Sequence, residues 1–363
     1  MSKGGKETVT LLVTLLITAG IAGGGYWLFL KNSSNPSLLP STTDRNSDPN
    51  TGSPTKIDIS NRVSRGDKIL IAADTNPNKQ AGVQAIAAGD FPTAITKLEA
   101  SLQANRNDPE AFIYLNNAKI GSKNAFTIAV SVPIGGNLNV AKEILRGVAQ
   151  AQDEVNQAGG INGSPIRIVL SNDDNDPVIA KQVASEFVKD TSIVAVVGHN
   201  SSNASLAAAP IYQAGSLVMV SPTSTAKSLS GAGSYIFRTV PSIRFEADAL
   251  SRYAVRTMRK NNFGVCFSSG SSSSQSVKEE FTAAVLADGG KIGRVNCDLA
   301  ATDFNPTQAI AEMTNENVDA LLISPDVEQL DKVKGIAAAS KGKLLLLSHS
   351  TMYTFKTLQL ERV

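Results

Sequence analysis

Chemistry-bearing side chains are scarce in this chain. Its 363 residues include two histidines, two cysteines and one tryptophan, and aromatic residues make up 5%. His199 and His349 have no second ligand at metal spacing, which argues against a zinc centre. Cys266 and Cys297 fall in no CxxC pattern, which argues against a thiol-based metal or redox motif. GxSxG, P-loop and GxGxxG patterns are missing, and with them the usual signs of hydrolase, nucleotide and dinucleotide chemistry. An excess of one charge is missing too. Lys and Arg total 34 against 32 Asp and Glu, a net charge of +2. A nucleic-acid partner is therefore not expected, because such partners need a basic face, and so few aromatics offer no stacking platform for single strands. No cofactor and no metal is expected either.

Charge is absent altogether from residues 8–30, TVTLLVTLLITAGIAGGGYWLFL. As a helix, 23 such residues cross a bilayer core of about 30 Å. Lys3 and Lys6 precede the run and place the amino terminus inside. The run is long for a cleaved signal peptide, and YWLFL continues past the best cleavage site, so an uncleaved anchor over residues 1–31 is preferred. No cysteine follows it to carry a lipid. Residues 32–56, rich in Ser, Pro, Asn and Thr, read as a flexible linker. The globular part is then membrane-anchored and periplasmic, or otherwise extracytoplasmic.

Residues 57–122 carry a helical pattern. Gly89-Asp90-Phe91 divides two helices, Ala94, Ile95, Leu98 and Leu102 recur at helical spacing, and Asp108-Pro109 opens a third. One tetratricopeptide-like unit is the sharper reading. A generic helical hairpin packed on the next domain is the plainer one, since one repeat cannot bury its own face.

From residue 125 the chain alternates. Apolar runs FTIAVSV, IRIVLSN, IVAVVG, LVMVS, YIFRTV, FGVCFSS, IGRVNCDL, VDALLIS and KLLLLS read as strands, and helical stretches separate most of them. Such βα alternation predicts α/β architecture with parallel sheets. Residues 235–240 follow the previous strand without a helix, and Pro241 then bends the chain. The expected division is 123–240 for one lobe and 241–363 for a second. Cys266 and Cys297 each sit in a strand-like run. Buried, unpaired thiols are the simpler expectation, and a disulfide follows only if those strands are neighbours in an oxidising compartment.

Two clusters of small hydroxyl residues stand where binding chemistry is expected. Ser201, Ser202, Asn203 and Ser205 follow one apolar run, and Ser221, Thr223, Ser224 and Thr225 follow the next. In an open α/β sheet these are carboxyl ends of adjacent strands, the edge at which ligands bind. A helix amino terminus presents unpaired N–H groups and partial positive charge to a carboxylate. Hydroxyls and exposed carbonyls from the second cluster suit an ammonium. No catalytic base accompanies them. Asp173, Asp174 and Asp176 read as a helix N-cap with solvated neighbours rather than a cation site.

These residues lead to a family. The segments GVAQAQDEVNQAGGING, NDDNDP, VVGHNSS and VSPTSTAKSLS followed by YIFRTVPS resemble the type 1 periplasmic ligand-binding proteins, specifically the branched-chain amino-acid (Leu/Ile/Val) receptors of ABC transporters. The resemblance covers about the last two thirds of the chain. It implies a two-lobed, non-enzymatic protein that closes on an amino acid or related small polar solute, with a transporter permease as partner. By position, Ser202 looks like the serine that holds the ligand carboxylate. Thr223 looks like the residue whose carbonyl receives the ammonium, and Thr225 like the threonine that touches both groups, with Ser224 between them. Ser273 stands near the place where the family offers an aromatic wall, within SSGSSSSQS. Asp326 and Ser350 fall near further family contacts, with no acidic partner for an ammonium evident near Ser350. Family members continue past the strand at 343–348 and recross to the first lobe, so the resemblance implies a C-terminally shortened second lobe. Two other readings remain: a membrane-tethered ligand sensor or scaffold working through residues 80–120, and a serine-dependent enzyme suggested by the SxxK match Ser224-Thr225-Ala226-Lys227.

Overall fold

The computed structural model describes residues 58–326, 329–353 and Thr357. The apolar run at 8–30 and the linker at 32–56 lie outside the described residues. No helix among the described residues is long and apolar enough to cross a membrane.

A short strand, β1 (Val63–Ser64), precedes three helices, α1 (Pro77–Ala87), α2 (Phe91–Ala104) and α3 (Pro109–Ile120). Each starts at a side-chain cap followed by proline at the first or second helical position. Asn76 accepts from the amides of Asn78 and Lys79, Asp90 from Thr93, and Asp108 from Ala111. Proline there fixes φ and forgoes an N–H that has no helical partner. The first two helices pack closely at Gly82, where a Cβ would stand 2.7 Å from Leu98 Cγ. The tetratricopeptide-like expectation finds no support beyond these hairpins. Ala94, Leu98, Ile113 and Tyr114 share one apolar core with Val130, Leu145 and Leu170 of the following α/β unit. The helical face too small to bury itself is buried by the neighbouring sheet.

The first sheet adds β2 (Phe126–Val132), β3 (Ile166–Asn172), β4 (Ile193–Val197), β5 (Val218–Ser221) and β6 (Ile236–Arg238). Its order is β1-β3-β2-β4-β5-β6, parallel except for β1, which runs antiparallel to β3. The connecting helices are α4 (Leu138–Gln157), α5 (Pro177–Lys189) and α6 (Ser202–Ala214). One face of the sheet is covered by α4 and the amino-terminal helices, the other by α5 and α6. Burial on both faces is why these strands read as continuous apolar runs.

After β6 the chain enters a second unit of α7 (Ile243–Arg252), β7 (Asn262–Phe267), α8 (Ser272–Ala287), β8 (Lys291–Ile292), β9 (Cys297–Asp298), α9 (Pro306–Asn315), β10 (Ala320–Ser324), α10 (Leu330–Ser340) and β11 (Leu345–Ser348). Its sheet is parallel, in the order β11-β10-β7-β8, with β9 also on β7. The run IGRVNCDL is thus two short strands rather than one. Between them the Gly293 amide bonds Phe263 O and the Arg294 amide turns to Glu316 Oε2.

The thiol expectation is corrected here. Cys266 and Cys297 lie opposite each other on β7 and β9 and form a disulfide, with Cα atoms 4.5 Å apart. Both half-cystines are buried in the core of the second sheet. The pairing depends on the register of two parallel strands separated by a whole helix, which residue spacing does not report.

Candidate functional site

The strand-end loops of the first sheet converge on the backbone of His199. Its carbonyl accepts hydrogen bonds from Ser205 Oγ at 3.1 Å and Ser221 Oγ at 2.7 Å. The Ser224 hydroxyl lies 2.7 Å from that of Ser205, and Ser221 Oγ accepts from the Ser224 amide. The loop after β4 and the loop after β5 are therefore one bonded unit. The His199 ring is fully buried, with Nδ1 2.6 Å from Asp173 Oδ2 and Nε2 3.1 Å from the Tyr212 hydroxyl.

Asp173 is not the solvated acid expected from the sequence. It is buried at the end of β3, and Ser131 Oγ donates to it at 2.9 Å, as does the Asn175 amide. Burial pushes its carboxyl pKa up. The hydrogen bond and electrostatic attraction of His199, with the Asn175 and Ser131 donors, outweigh that and hold it below the usual carboxylate value. A depressed folded-state pKa stabilises the fold above the unfolded-chain value near 4, and the contribution is lost as pH falls through the folded value. Asp173→Asn is expected to destabilise the protein by about 1–3 kcal/mol at neutral pH, by leaving buried partners mismatched. It should also flatten the acid limb of a urea-stability profile measured between neutral and low pH. Asp174 pairs with Arg62 at 2.5 Å, and Asp176 caps α5 through the amides of Val178 and Ile179.

The predicted contact residues fall into place unequally. Ser202 is buried at the start of α6, and its Oγ accepts from the Ala226 amide at 3.2 Å, which leaves its hydrogen available to donate. Thr223 donates its hydroxyl hydrogen to the Asn200 carbonyl at 2.7 Å. Ser224 is buried among the hydroxyls beneath, away from the surface of the cluster. Thr225 Oγ1 stands 2.8 Å from Ser273 Oγ, on the second residue of α8. Ser202, Thr223, Ser224, Thr225 and Ser273 are thus brought together across the junction of the two sheets. Asp326 lies two residues beyond β10, its amide on Gln329 Oε1 at 3.0 Å.

The SxxK match does not assemble into a nucleophile and base. The Lys227 amine pairs with Glu280 of α8, while the Ser224 hydroxyl points to Ser205 and the carbonyls of His199 and Asn200. Sequence reading also missed an acid. Glu246, on α7, accepts from the Ser350 amide at 2.6 Å and from Ser350 Oγ at 3.2 Å. It is one helical turn from Ile243, whose amide bonds the Thr225 carbonyl at 3.1 Å. Its only sequence signal was its place in the turn after the lobe crossing. Beside it, burial pulls the His349 imidazole below its usual value, the Glu246 charge opposing this more weakly, and His349 Nε2 lies 2.9 Å from Ser324 Oγ.

A family model described as periplasmic binding protein matches residues 125–337, more than half of the chain. The chain belongs to the periplasmic binding protein family. Among curated relatives, this family member is 35% identical over 91 residues to an amino acid binding protein of Pseudomonas aeruginosa, a match covering 25% of this chain and 24% of that one. It is 28% identical over 178 residues to the Leu/Ile/Val-binding protein of Escherichia coli K12, covering 48% and 47%. The chain thus spans between a quarter and a half of the length of these curated relatives. Among solved structures it superposes on a leucine-binding protein of Thermotoga maritima with a TM-score of 0.58 at 19% identity, covering 65% of this chain and 66% of that one. A branched-chain amino acid transporter substrate-binding protein of Streptococcus pneumoniae, in complex with isoleucine, gives 0.57 at 20% identity, covering 66% and 68%. Those likenesses establish the α/β periplasmic-binding-protein fold for this binding protein.

Proposed function

We propose that this chain is the substrate-binding component of an ABC-type transporter and captures an amino acid or related small polar solute between its two lobes, residues 123–240 and 241–363. The observation that carries this is the junction of Ser202, Thr223 and Thr225 with Ser273 at the carboxyl ends of both sheets. The unpaired amides at the start of α6 and the Ser202 hydroxyl hold the carboxylate. The Thr223 carbonyl accepts from the ammonium, and Thr225 reaches both groups from the first lobe. Ser224 supports the loop, and Ser273 and Asp326 border the ligand from the second lobe. A transporter permease is the partner. The uncharged run at 8–30 supports tethering of the globular part to the outer face of the membrane, and the buried disulfide fits an oxidising compartment.

Titration calorimetry of the intact protein against the common amino acids tests this. One of them is expected to bind, and Ser202→Ala or Thr225→Val to weaken it about tenfold or more, the value of one hydrogen bond to a charged group. A folded sample that binds none of them defeats the proposal.

A further inference from the structure

The family match begins at residue 125, yet the chain ahead of it is not confined to the helical layer. One of its side chains reaches the carboxyl edge of the first sheet. β1 runs antiparallel along β3, with Val63 opposite Ser171. That register sets Arg62 beside the end of β3. Its guanidinium donates to the Asn172 carbonyl at 3.4 Å and pairs with Asp174 Oδ2 at 2.5 Å. Each side chain of the pair keeps 25% of its surface exposed.

Asp174 is held from the other side as well. Its Oδ1 accepts from the Gly135 amide at 2.9 Å. The next residue has no room for a side chain, since a Cβ on Gly136 would stand 2.3 Å from the Asp174 carbonyl oxygen. The loops after β2 and β3 are thus closed on one another, with Arg62 as the outer member.

The backbone here is left-handed twice in succession, with φ of 53° at Asp174 and 60° at Asn175. Residues other than glycine seldom adopt that region, and Asp and Asn do so at the least cost. Two in a row persist only where their surroundings hold them. The turn sends consecutive side chains to different partners. Asp174 meets Arg62, while Asn175 meets the entry to α6. Asn175 Oδ1 accepts from the Ser201 amide and from Asn200 Nδ2, each at 3.2 Å. Ser201 is the N-cap of α6, its hydroxyl accepting from the Ala204 amide. Asn200 Oδ1 in turn accepts from the Thr223 hydroxyl at 3.1 Å. One carboxamide therefore locates the start of α6 and, through Asn200, the loop after β5.

We infer that Arg62 is a positioning residue: by fixing the left-handed turn at Asp174 and Asn175 it sets the place of the α6 start, and with it the affinity for the solute. The effect on affinity rests on the solute site proposed above, and the effect on α6 does not. With a neutral side chain at 62, Asp174 keeps the Gly135 amide alone, the turn loosens, and the Ser201 amide loses its acceptor. The segment ahead of the family match thereby tunes a site built from residues within it.

Hydrogen exchange of the full chain without solute tests the effect on α6. Arg62→Met is expected to quicken exchange in peptides spanning residues 198–205 about tenfold, the equivalent of one hydrogen bond to a charged group. Peptides from α2 and β10 should exchange as in the parent protein, which separates a local change from general unfolding. Arg62→Lys keeps the charge and is expected to bring exchange back toward the parent rate. Titration calorimetry with the common amino acids then tests the effect on affinity. Arg62→Met is expected to weaken binding about tenfold and Arg62→Lys to recover most of it. Unchanged exchange at 198–205 in Arg62→Met, equal quickening in α2 and β10, or no recovery with lysine would each overturn the inference. So would quickened exchange with undiminished affinity. A parent protein that binds none of the amino acids defeats the proposed function, and the exchange rates still decide whether Arg62 places α6.

Discussion

Replacing Lys79 with methionine is expected to lower the stability of the folded chain by about 3–5 kcal/mol, the range seen when one member of a buried ion pair is removed. Lys79 is fully buried on α1, with its amine 2.8 Å from Asp108 Oδ2 and 2.7 Å from Glu110 Oε2, both of them also inaccessible to solvent. Glu110 carries a further load. Its Oε1 accepts from the Leu70 amide at 2.6 Å, and the Tyr114 hydroxyl lies 3.0 Å away. Burial, and then the Glu110 charge, push the Tyr114 pKa well up, so that hydroxyl stays protonated. Methionine fills similar volume but leaves two carboxylates without a counter-charge. That isolates electrostatics from packing. The measurement is urea unfolding, with a lower midpoint and an unchanged slope. The loss should fall on the transition of the first lobe, because the helices share its core. A change below about 1 kcal/mol, the scale of an exposed pair, would mean the network does not hold the helices to the lobe.

The legible and illegible parts of this molecule divide along a physical line. Strands β2 to β5 could be read because both faces of their sheet are covered, which forces continuous apolar sequence, and because a capping residue marks the helix that follows. Asp176 before Pro177 and Asp108 before Pro109 are such marks, and both cap as the sequence implied. The hydroxyl clusters could be placed because strand ends are countable. What could not be read depends on partners distant in sequence. Lys79, Asp108 and Glu110 look like ordinary solvated charges until tertiary packing closes over them. Asp173 looked solvated for the same reason, although its neighbour in space is His199. Glu246 and Ser350 are 104 residues apart in sequence, so no local pattern connects them. The serines at the start of α8 were visible, but that Ser273 meets Thr225 depends on which face of the helix meets the first lobe.

Loss of the Cys266–Cys297 disulfide is expected to cost about 3–4 kcal/mol, from the chain entropy of a closed loop of this length in the unfolded state. The half-cystines are 31 positions apart. The loop they close contains α8, β8 and the irregular residues 293–296, and β9 itself has only two residues on β7. So short a strand gains little from its own ladder, and the covalent link fixes its register. Cys266→Ala with Cys297→Ala avoids burying new hydroxyls, and comparison with reduced parent protein separates lost volume from the lost link. Both should unfold at lower urea than the oxidised parent, the reduced protein losing the entropic part alone. Hydrogen exchange should quicken at Leu299, whose amide bonds the Phe267 carbonyl beyond the end of β9, before it quickens along β10. Equal urea midpoints for the oxidised and reduced forms would show that the ladder and the packing of Leu299 already hold this edge. Helix α8 would then keep its position without the cross-link, because it is seated by Phe281 and Val285 in the core on the opposite face of the sheet.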